Sequence, residues 1–385
     1  MLWLLVVLPL LAFSFYLVGR VWVGSKKRPP LKDKPLVSFL IPAYKSEKTI
    51  RECIESVLRL DYPKKEIIVV NDYPDRTPQI AQKLGAKVIN KKERQGKAKS
   101  LNEAAKTAKG KILFFLDSDT IIREDSLKKV VPWFTDKKIG VVAPRYIAMN
   151  TDRLFSRFVS MENSYNSTIF KMHMQFGSML SFRGCGIAIR ASTFRKLGGW
   201  AQTLIEDSDF AIRIMRSGLR TQYEPEAIVE TYEPETFSEL KKQKLRWGRG
   251  SGYAIFNNKG SYVANKQVIF NFVPYFIIVA LVFLSLFAQI FSITQMIVFY
   301  TQYPFLFFMG AFYYFLYLLL IVYLSLVMHN AILIVPERLE RKDILYTPFF
   351  TLIYTPMILL FYVGGIVIGV VDRIKKKSDV DFKYW

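Results

Sequence analysis

Two pairs of acidic residues stand where carboxylates can take part in group-transfer chemistry. Asp117 and Asp119 are separated by one residue and follow the apolar run Ile112–Leu116. Such a pair at a strand end can contact a ribose and hold a divalent ion that neutralises a phosphorylated leaving group. Glu206 and Asp207 begin a helical pattern, where a carboxylate could take a proton from a hydroxyl group. Each pair also has an ordinary structural explanation, as a turn or as acids in a first helical turn.

Three further segments carry side chains suited to binding a ligand. Asp72 follows the apolar run Glu66–Val70 and could accept a hydrogen bond from a nucleobase, although a strand-end turn would also explain it. Lys97 lies at a predicted helix start, which favours anion binding but is equally compatible with a solvated basic face. The segment Gln243–Trp247 offers Arg for phosphate oxygens and Trp for a sugar ring. A basic-aromatic belt at a membrane surface is the alternative there.

The elements that position these residues alternate between strand and helix. The pattern predicts strands at Val37–Ile41, Glu66–Val70, Lys87–Ile89 and Ile112–Leu116, and helices near 47–60, 77–84 and 97–108. This order predicts a mostly parallel sheet covered by helices. Because ligands bind at the carboxyl ends of strands in such sheets, polar residues just after the strands are the candidates.

Composition excludes several classes of protein. Of the 385 residues 51% are hydrophobic and 15% aromatic, which excludes intrinsic disorder. Two cysteines and two histidines exclude a disulfide framework and His-rich metal chemistry, so a metal would be held by carboxylates, as Mg²⁺ or Mn²⁺ are. The net charge of +22 is attributed mainly to membrane topology and anionic lipid. No nucleic-acid recognition motif is present, so nucleic acid is not expected as a partner.

Apolar residues concentrate at the two ends of the chain. We expect an N-terminal transmembrane helix, a soluble domain, a C-terminal transmembrane region of about three helices and a basic tail. In order these are residues 1–24, 35–250, 267–372 and 373–385. Basic residues after the first apolar run, Leu2–Val23, place the N-terminus outside and the soluble domain in the cytoplasm. Three C-terminal crossings would leave the tail outside, whereas its basic residues favour the inside, so its side stays open.

The motifs occur in one order along residues 35–250. They are PAYxxE from Pro42, Asp72, GKAxxLN from Gly96, Asp117-Ser118-Asp119, Glu206-Asp207 and QxxRW from Gln243. This order resembles family 2 glycosyltransferases, and within them the membrane-embedded processive branch of hyaluronan, chitin or chitooligosaccharide, poly-N-acetylglucosamine and cellulose synthases. The resemblance implies a cytoplasmic GT-A domain, which is an α/β fold with a Rossmann-like mostly parallel sheet, flanked by transmembrane helices. It also implies a UDP-sugar donor, a Mg²⁺ or Mn²⁺ ion and a glycan acceptor.

The resemblance further implies a role for each matching residue. The uridine pocket would be lined by Pro42, Ala43, Tyr44 and Glu47. Asp72 would contact the uracil and Lys97 the nucleotide. Asp117 would lie near the ribose and diphosphate, and Asp119 would hold the metal. Asp207 would be the catalytic base with Glu206 beside it. The residues closing over the diphosphate and acceptor sugar would be Gln243, Arg246 and Trp247.

Two positions depart from the family pattern. Ile205 stands where Thr usually precedes Glu-Asp, and Asn71 replaces the first acid of the pair at the second strand. Gly184-Cys185-Gly186 resembles the acceptor-side segment of these synthases.

We therefore expect an inverting transferase in the cell membrane that uses a UDP-sugar and extends a polysaccharide or oligosaccharide. Membrane lipids would surround its helices. A non-processive transferase making a glycolipid, with ceramide, diacylglycerol or polyprenyl phosphate as acceptor, shares the same donor site. A degenerate scaffold without activity is the third alternative, and the retained acidic residues argue against it.

Overall fold

The computed structural model describes residues 27–175, 179, 181–257, 294, 308–316, 319 and 343–375. The chain forms two compact units. One comprises Ser25–Tyr262 with Phe361–Trp385, and the other comprises Met1–Gly24 with Val263–Leu360. The predicted N-terminal span and most of the first two predicted C-terminal spans lie outside the described residues.

An eight-stranded sheet forms the centre of the first unit. Its strands are β1 (Val37–Ala43), β2 (Lys65–Asn71), β3 (Lys87–Asn90), β4 (Ile112–Phe115), β5 (Ile121–Ile122), β6 (Ile139–Ala148), β7 (Ile187–Arg190) and β8 (Arg220–Thr231). They lie in the order β3-β2-β1-β4-β7-β6-β8-β5. The pairs β1–β2, β2–β3, β1–β4 and β6–β8 are parallel. The sheet is mixed but mostly parallel, as predicted, because β7 runs against both β4 and β6, β5 runs against β8, and the other strands share one direction.

Helices follow most strands, as the sequence pattern predicts. They are α1 (Ile50–Leu58), α2 (Thr77–Lys83), α3 (Lys97–Thr107), α4 (Ser126–Val130), α5 (Leu154–Gln175), α6 (Ala191–Lys196), α7 (Glu206–Arg216), α8 (Phe237–Asn257), α9 (Asp343–Phe349) and α10 (Thr355–Ile374). All the strands and helices predicted between residues 37 and 116 are present, with ends shifted by at most three residues.

Apolar side chains cover both faces of the sheet. Phe39 of β1 and Phe114 of β4 stack with ring centroids 5.0 Å apart on one face. Phe115 points to the opposite face and packs edge-on against Trp200, 4.9 Å away. This alternation buries successive residues on opposite faces, so the strand ends are held rigidly.

Glycines allow α8 and the second half of α10 to cross at very close range. A methyl group at Gly365 or Gly369 would collide with the backbone carbonyl of Leu245 or Arg249, both on α8. Arg249 Nε also donates a 2.8 Å hydrogen bond to Asp372 Oδ2 on α10. Close backbone approach together with an ion pair fixes α8, the helix that carries the QxxRW motif.

Among the described residues, α10 is the one helix long and apolar enough to cross a membrane, with a mean hydropathy of 2.0. Length and composition are the whole of this criterion. The predicted set of flanking transmembrane helices is thus represented by one candidate in this part of the chain. In the second unit, Phe350 and Tyr354 stack with their ring centroids 5.2 Å apart.

Candidate active site

The carboxyl ends of β1, β2 and β4 bring three predicted segments to one edge of the sheet. These strands are parallel neighbours, so the loops that follow them share that edge. Ser46 after β1 and Ser118 after β4 join two of these loops, since their hydroxyl oxygens lie 2.7 Å apart. The backbone N–H of Asp72 donates to the Ala43 carbonyl oxygen at 2.9 Å, which ties the loop after β2 to β1.

Aromatic and cationic side chains gather beside the end of β1. The rings of Tyr44 and Tyr73 meet edge-to-face with centroids 5.1 Å apart. The Arg94 guanidinium lies 4.0 Å from the Tyr44 centroid, and Lys45 Nζ lies 5.1 Å from the Tyr73 centroid. Lys45 has a backbone φ of 55°, a left-handed conformation that costs a non-glycine residue energy. Flat rings and planar cations of this kind can stack on a nucleobase.

The Asp72 carboxylate has one engaged oxygen and one that is not. Its Oδ2 accepts hydrogen bonds from the backbone of Gln95 and Gly96, at 3.3 and 3.2 Å, and from Ser100 Oγ at 2.9 Å. It therefore ties the residues just before α3, and Ser100 within α3, to the end of β2, contacts that the sequence pattern did not predict. Its Oδ1 is buried without a hydrogen-bond partner among the described residues. A buried acceptor with no donor is costly, and a ligand N–H would satisfy it.

The other residues predicted for the uridine pocket have structural partners. Glu47 Oε1 accepts from Arg76 Nε at 3.0 Å and so joins the loops after β1 and β2. Pro42 and Ala43 lie within β1, and Ala43 is buried. The structure thus brings Tyr44 and Asp72 to one cluster, while Glu47 braces the loops around it.

Lys97 binds Asp117 at the centre of the site. Its Nζ lies 2.6 Å from Asp117 Oδ1 and 3.9 Å from Glu206 Oε1. Burial alone would lower the pKa of Lys97, but the two carboxylates raise it above its ordinary value. The ammonium at the start of α3 therefore stays charged and links the acids of both predicted pairs.

Asp119 is exposed and has no comparable cation beside it in the described part of the chain. Partial burial by the loop and the negative charge of Asp117 both raise the pKa of Asp119. Among the described residues no three His, Cys, Asp or Glu side chains cluster as an enclosed metal site. A single exposed carboxylate in a negative field fits Mg²⁺ or Mn²⁺ held jointly with phosphate oxygens and water, which is the usual arrangement for Mg²⁺.

Glu206 and Asp207 open α7 and face the Gly184 loop. Asp207 Oδ2 accepts from the backbone N–H of Gly184 at 3.0 Å, and its Oδ1 accepts from Ser208 N at 2.7 Å. A Cβ at Gly184 would stand 3.3 Å from Glu206 Oε1, so a side chain there would crowd both acids. Burial raises the pKa of both carboxyls, and that of Glu206 reaches about 7.

A buried ion pair between Arg183 and Glu233 anchors the Gly184 loop. Arg183 donates to Glu233 through Nη1 at 2.5 Å, and Asn163 Nδ2 donates to the same Glu233 oxygen at 2.9 Å. Sequence reasoning missed these residues, because they lie on separate elements and share no local motif. Burial raises the pKa of the neighbouring Cys185 thiol to about 12, which favours its neutral form.

The QxxRW segment lies on α8 and packs against the start of α7. A Cβ at Gly250 would collide with Ile205, the residue just before Glu206. Arg246 lies one turn before Gly250, and its positive charge lowers the pKa of Asp207 against the effect of burial. Ile205 is buried, so its contact with α8 is an apolar one.

The other two QxxRW side chains differ in their surroundings. Gln243 Oε1 is buried and lacks a hydrogen-bond partner within the described residues. Trp247 is partly exposed, and Lys244 Nζ lies 4.5 Å from its ring centroid. Gln243 thus retains an acceptor, and Trp247 keeps part of its surface exposed.

A mixed α/β sheet with acidic residues at the carboxyl ends of its strands is an arrangement typical of α/β proteins that bind ligands at that edge. Residues 38–198 match the family model described as glycosyl transferase family 2, so this part of the chain is similar to that family. The mannosyltransferase PcManGT from Pyrobaculum calidifontis, solved with GDP-Man and Mn²⁺, has the same fold. Its TM-score is 0.64 at 20% sequence identity, covering 95% of each chain.

Two curated relatives extend the comparison. The probable glycosyltransferase YdaM of Bacillus subtilis is 32% identical over 272 residues, which are 65% of this chain and 64% of that protein. The aligned part is therefore just under two thirds of that relative's own length. The poly-beta-1,6-N-acetyl-D-glucosamine synthase of Staphylococcus epidermidis is 25% identical over 366 residues, covering 88% of this chain and 86% of the relative.

Proposed function

We propose that this chain is a membrane-bound inverting glycosyltransferase that moves a sugar from a UDP-sugar to a growing oligosaccharide or polysaccharide. The observation that carries the proposal is the position of Lys97, whose ammonium lies 2.6 Å from Asp117 and 3.9 Å from Glu206. The donor-side and acceptor-side acids thereby converge on one cation. The similarity to poly-beta-1,6-N-acetyl-D-glucosamine synthase over 88% of the chain supports a polymer as product.

The donor binds at the ends of β1, β2 and β4. Uracil stacks beside Tyr44 and donates its imide N–H to Asp72 Oδ1, the acceptor that has no other partner in the described residues. Asp117 and Lys97 orient the ribose and the diphosphate. Asp119 would hold Mg²⁺ or Mn²⁺, which when bound supplies positive charge to the diphosphate leaving group.

Asp207 performs the proton transfer. Its carboxylate takes the proton of the acceptor hydroxyl while the hydroxyl oxygen attacks the anomeric carbon from the side opposite the diphosphate. The new glycosidic bond forms as the bond to UDP breaks, which inverts the anomeric centre. Hydrogen bonds from Gly184 and Ser208 orient the carboxylate. Gln243, Arg246 and Trp247 close over the diphosphate and the acceptor sugar.

The chain would reside in the cell membrane with its glycosyltransferase domain in the cytoplasm. The apolar character of α10, its close crossing with α8 and the excess of basic residues support this location. Membrane lipids would then surround α10 and the other apolar runs of the sequence.

The experiment is a nucleotide-release assay with purified protein, Mg²⁺ or Mn²⁺, a panel of UDP-sugars and GDP-mannose. UDP release with a ladder of product masses supports the proposal and identifies the sugar. A single product formed only after lipid is added would support a glycolipid transferase instead. Release from GDP-mannose alone would contradict the proposal that the donor nucleobase is uracil. No release from any donor would contradict the proposed activity.

A further inference from the structure

Lys244 is a buried cation within the QxxRW segment. Its side chain is 3% exposed, and its Nζ donates to both carboxylate oxygens of Glu162 on α5, at 2.6 and 2.8 Å. A buried ammonium without a partner is strongly destabilising, so Glu162 determines where Lys244 Nζ rests.

The same ammonium lies over Trp247. The distance from Nζ to the ring centroid is 4.5 Å, within the range of a cation–π interaction. Lys244 and Trp247 are three residues apart on α8, so their side chains lie on the same face of the helix. The Lys244 ammonium, which Glu162 on α5 holds in place, therefore lies over one face of the Trp247 indole. Trp247 keeps part of its surface exposed.

We propose that Glu162 is a positioning residue, which fixes the Trp247 ring through Lys244 and thereby sets how tightly the acceptor glycan is bound. This inference rests on the proposed function, in which Trp247 contacts the acceptor sugar. The donor-side residues Asp72 and Lys97 have their contacts with α3 and the strand ends. Breaking the Glu162–Lys244 pair therefore affects the acceptor more than the donor.

The Glu162–Lys244 ion pair affects the orientation of Trp247 more than the stability of the fold. Buried ion pairs contribute little net stability compared with packed apolar residues, because desolvation offsets their attraction. An apolar residue in place of Lys244 could fill the same space, but it would give up the cation–π contact that restricts the ring. The ion pair and the ring contact together define a single orientation of Trp247.

The test compares Glu162→Gln and Lys244→Met with the conservative variant Lys244→Arg. Glu162→Gln and Lys244→Met should raise the acceptor KM about tenfold or more, with the UDP-sugar KM changed by less than about twofold. Lys244→Arg keeps both the ion pair with Glu162 and the cation over the ring, so its acceptor KM should stay close to that of the parent protein. Asp61→Asn, which breaks the exposed Lys128–Asp61 pair, is the matched control and should change neither constant.

A second measurement needs no catalysis. The Trp247 contribution to fluorescence is obtained as the difference between the parent protein and Trp247→Phe, and its quenching by acrylamide is recorded. Glu162→Gln should increase that quenching, whereas Asp61→Asn should not. Unchanged quenching, or a changed quenching with an unchanged acceptor KM, would refute the inference. If the parent transfers no sugar, the proposed function fails, and the quenching result still decides whether Glu162 positions Trp247.

Discussion

Adding one methyl group to the crossing of α8 and α10 tests whether this crossing supports the active site. Gly365→Ala would drive a Cβ into the Leu245 carbonyl and the backbone of Arg249. Its neighbour Gly364 is a matched control, because a Cβ there would meet Leu245 Cδ2 at 3.9 Å, an ordinary contact.

The two substitutions should change the free energy of unfolding in opposite directions. Alanine is favoured over glycine inside a helix by about 1 kcal/mol, so Gly364→Ala should be neutral or stabilising by up to about that amount. Gly365→Ala gains the same preference but must push two backbones apart, and overpacking of this kind costs about 1–3 kcal/mol. The thermal midpoints of the two variants should therefore differ by several degrees, with Gly365→Ala the lower.

The assay measures the thermal midpoint, nucleotide binding and sugar transfer for both variants. Because α8 carries Arg246 and Trp247, Gly365→Ala should also lower transfer about tenfold or more, while UDP binding at the strand ends is retained. Equal midpoints and equal turnover in the two variants would refute the idea that close approach of α8 and α10 supports the site. Loss of UDP binding in Gly365→Ala would show a general folding defect instead.

Three further predictions concern the acidic residues. Asp207→Asn should abolish transfer with UDP binding nearly intact; near-normal turnover would disprove its role as base. Asp119→Asn should weaken UDP binding measured with Mn²⁺ but not with EDTA, and equal loss in both conditions would argue against metal binding by Asp119. Glu206→Gln should leave the thermal midpoint unchanged near pH 4.5 and raise it near pH 8. The pKa of Glu206 rises from 4.5 to about 7 on folding, so its charged form opposes folding as pH rises through that window. A midpoint difference that is independent of pH would contradict this.

The first half of the sheet was predictable because its signals are local. Apolar runs followed by polar residues marked β1, β2 and β4, and parallel pairing then placed Tyr44, Asp72 and Asp117 at one edge. The reversal of β7 was not predictable from the pattern, since Ile187–Arg190 is a short apolar run that fits either direction.

The rest of the site could not be predicted from the sequence, because it depends on contacts between residues that are far apart in the chain. Glu233 and Arg183 are 50 residues apart, and Glu162 and Lys244 are 82 residues apart. Neither pair belongs to a spaced motif, and each forms because the helices and the sheet edge meet in the folded chain. The contacts between Asp72 and the start of α3 have the same origin, because Gly96 and Ser100 lie 24 and 28 residues after Asp72 in the sequence.

The surroundings of Glu206 and Asp207 differ in how strongly they favour the charged form of each carboxyl group. Burial raises the pKa of both, but Asp207 also accepts two backbone hydrogen bonds and lies in the positive field of Arg246, all of which favour its charged form. Glu206 is stabilised as a carboxylate mainly by Lys97, and its pKa still reaches about 7. The contacts of Asp207 favour its charged form, which is the form that can accept a proton from a hydroxyl group. Neighbouring carboxylates repel each other when both are charged, and environments that favour the charged form of one acid over the other are the usual basis for assigning acid and base roles.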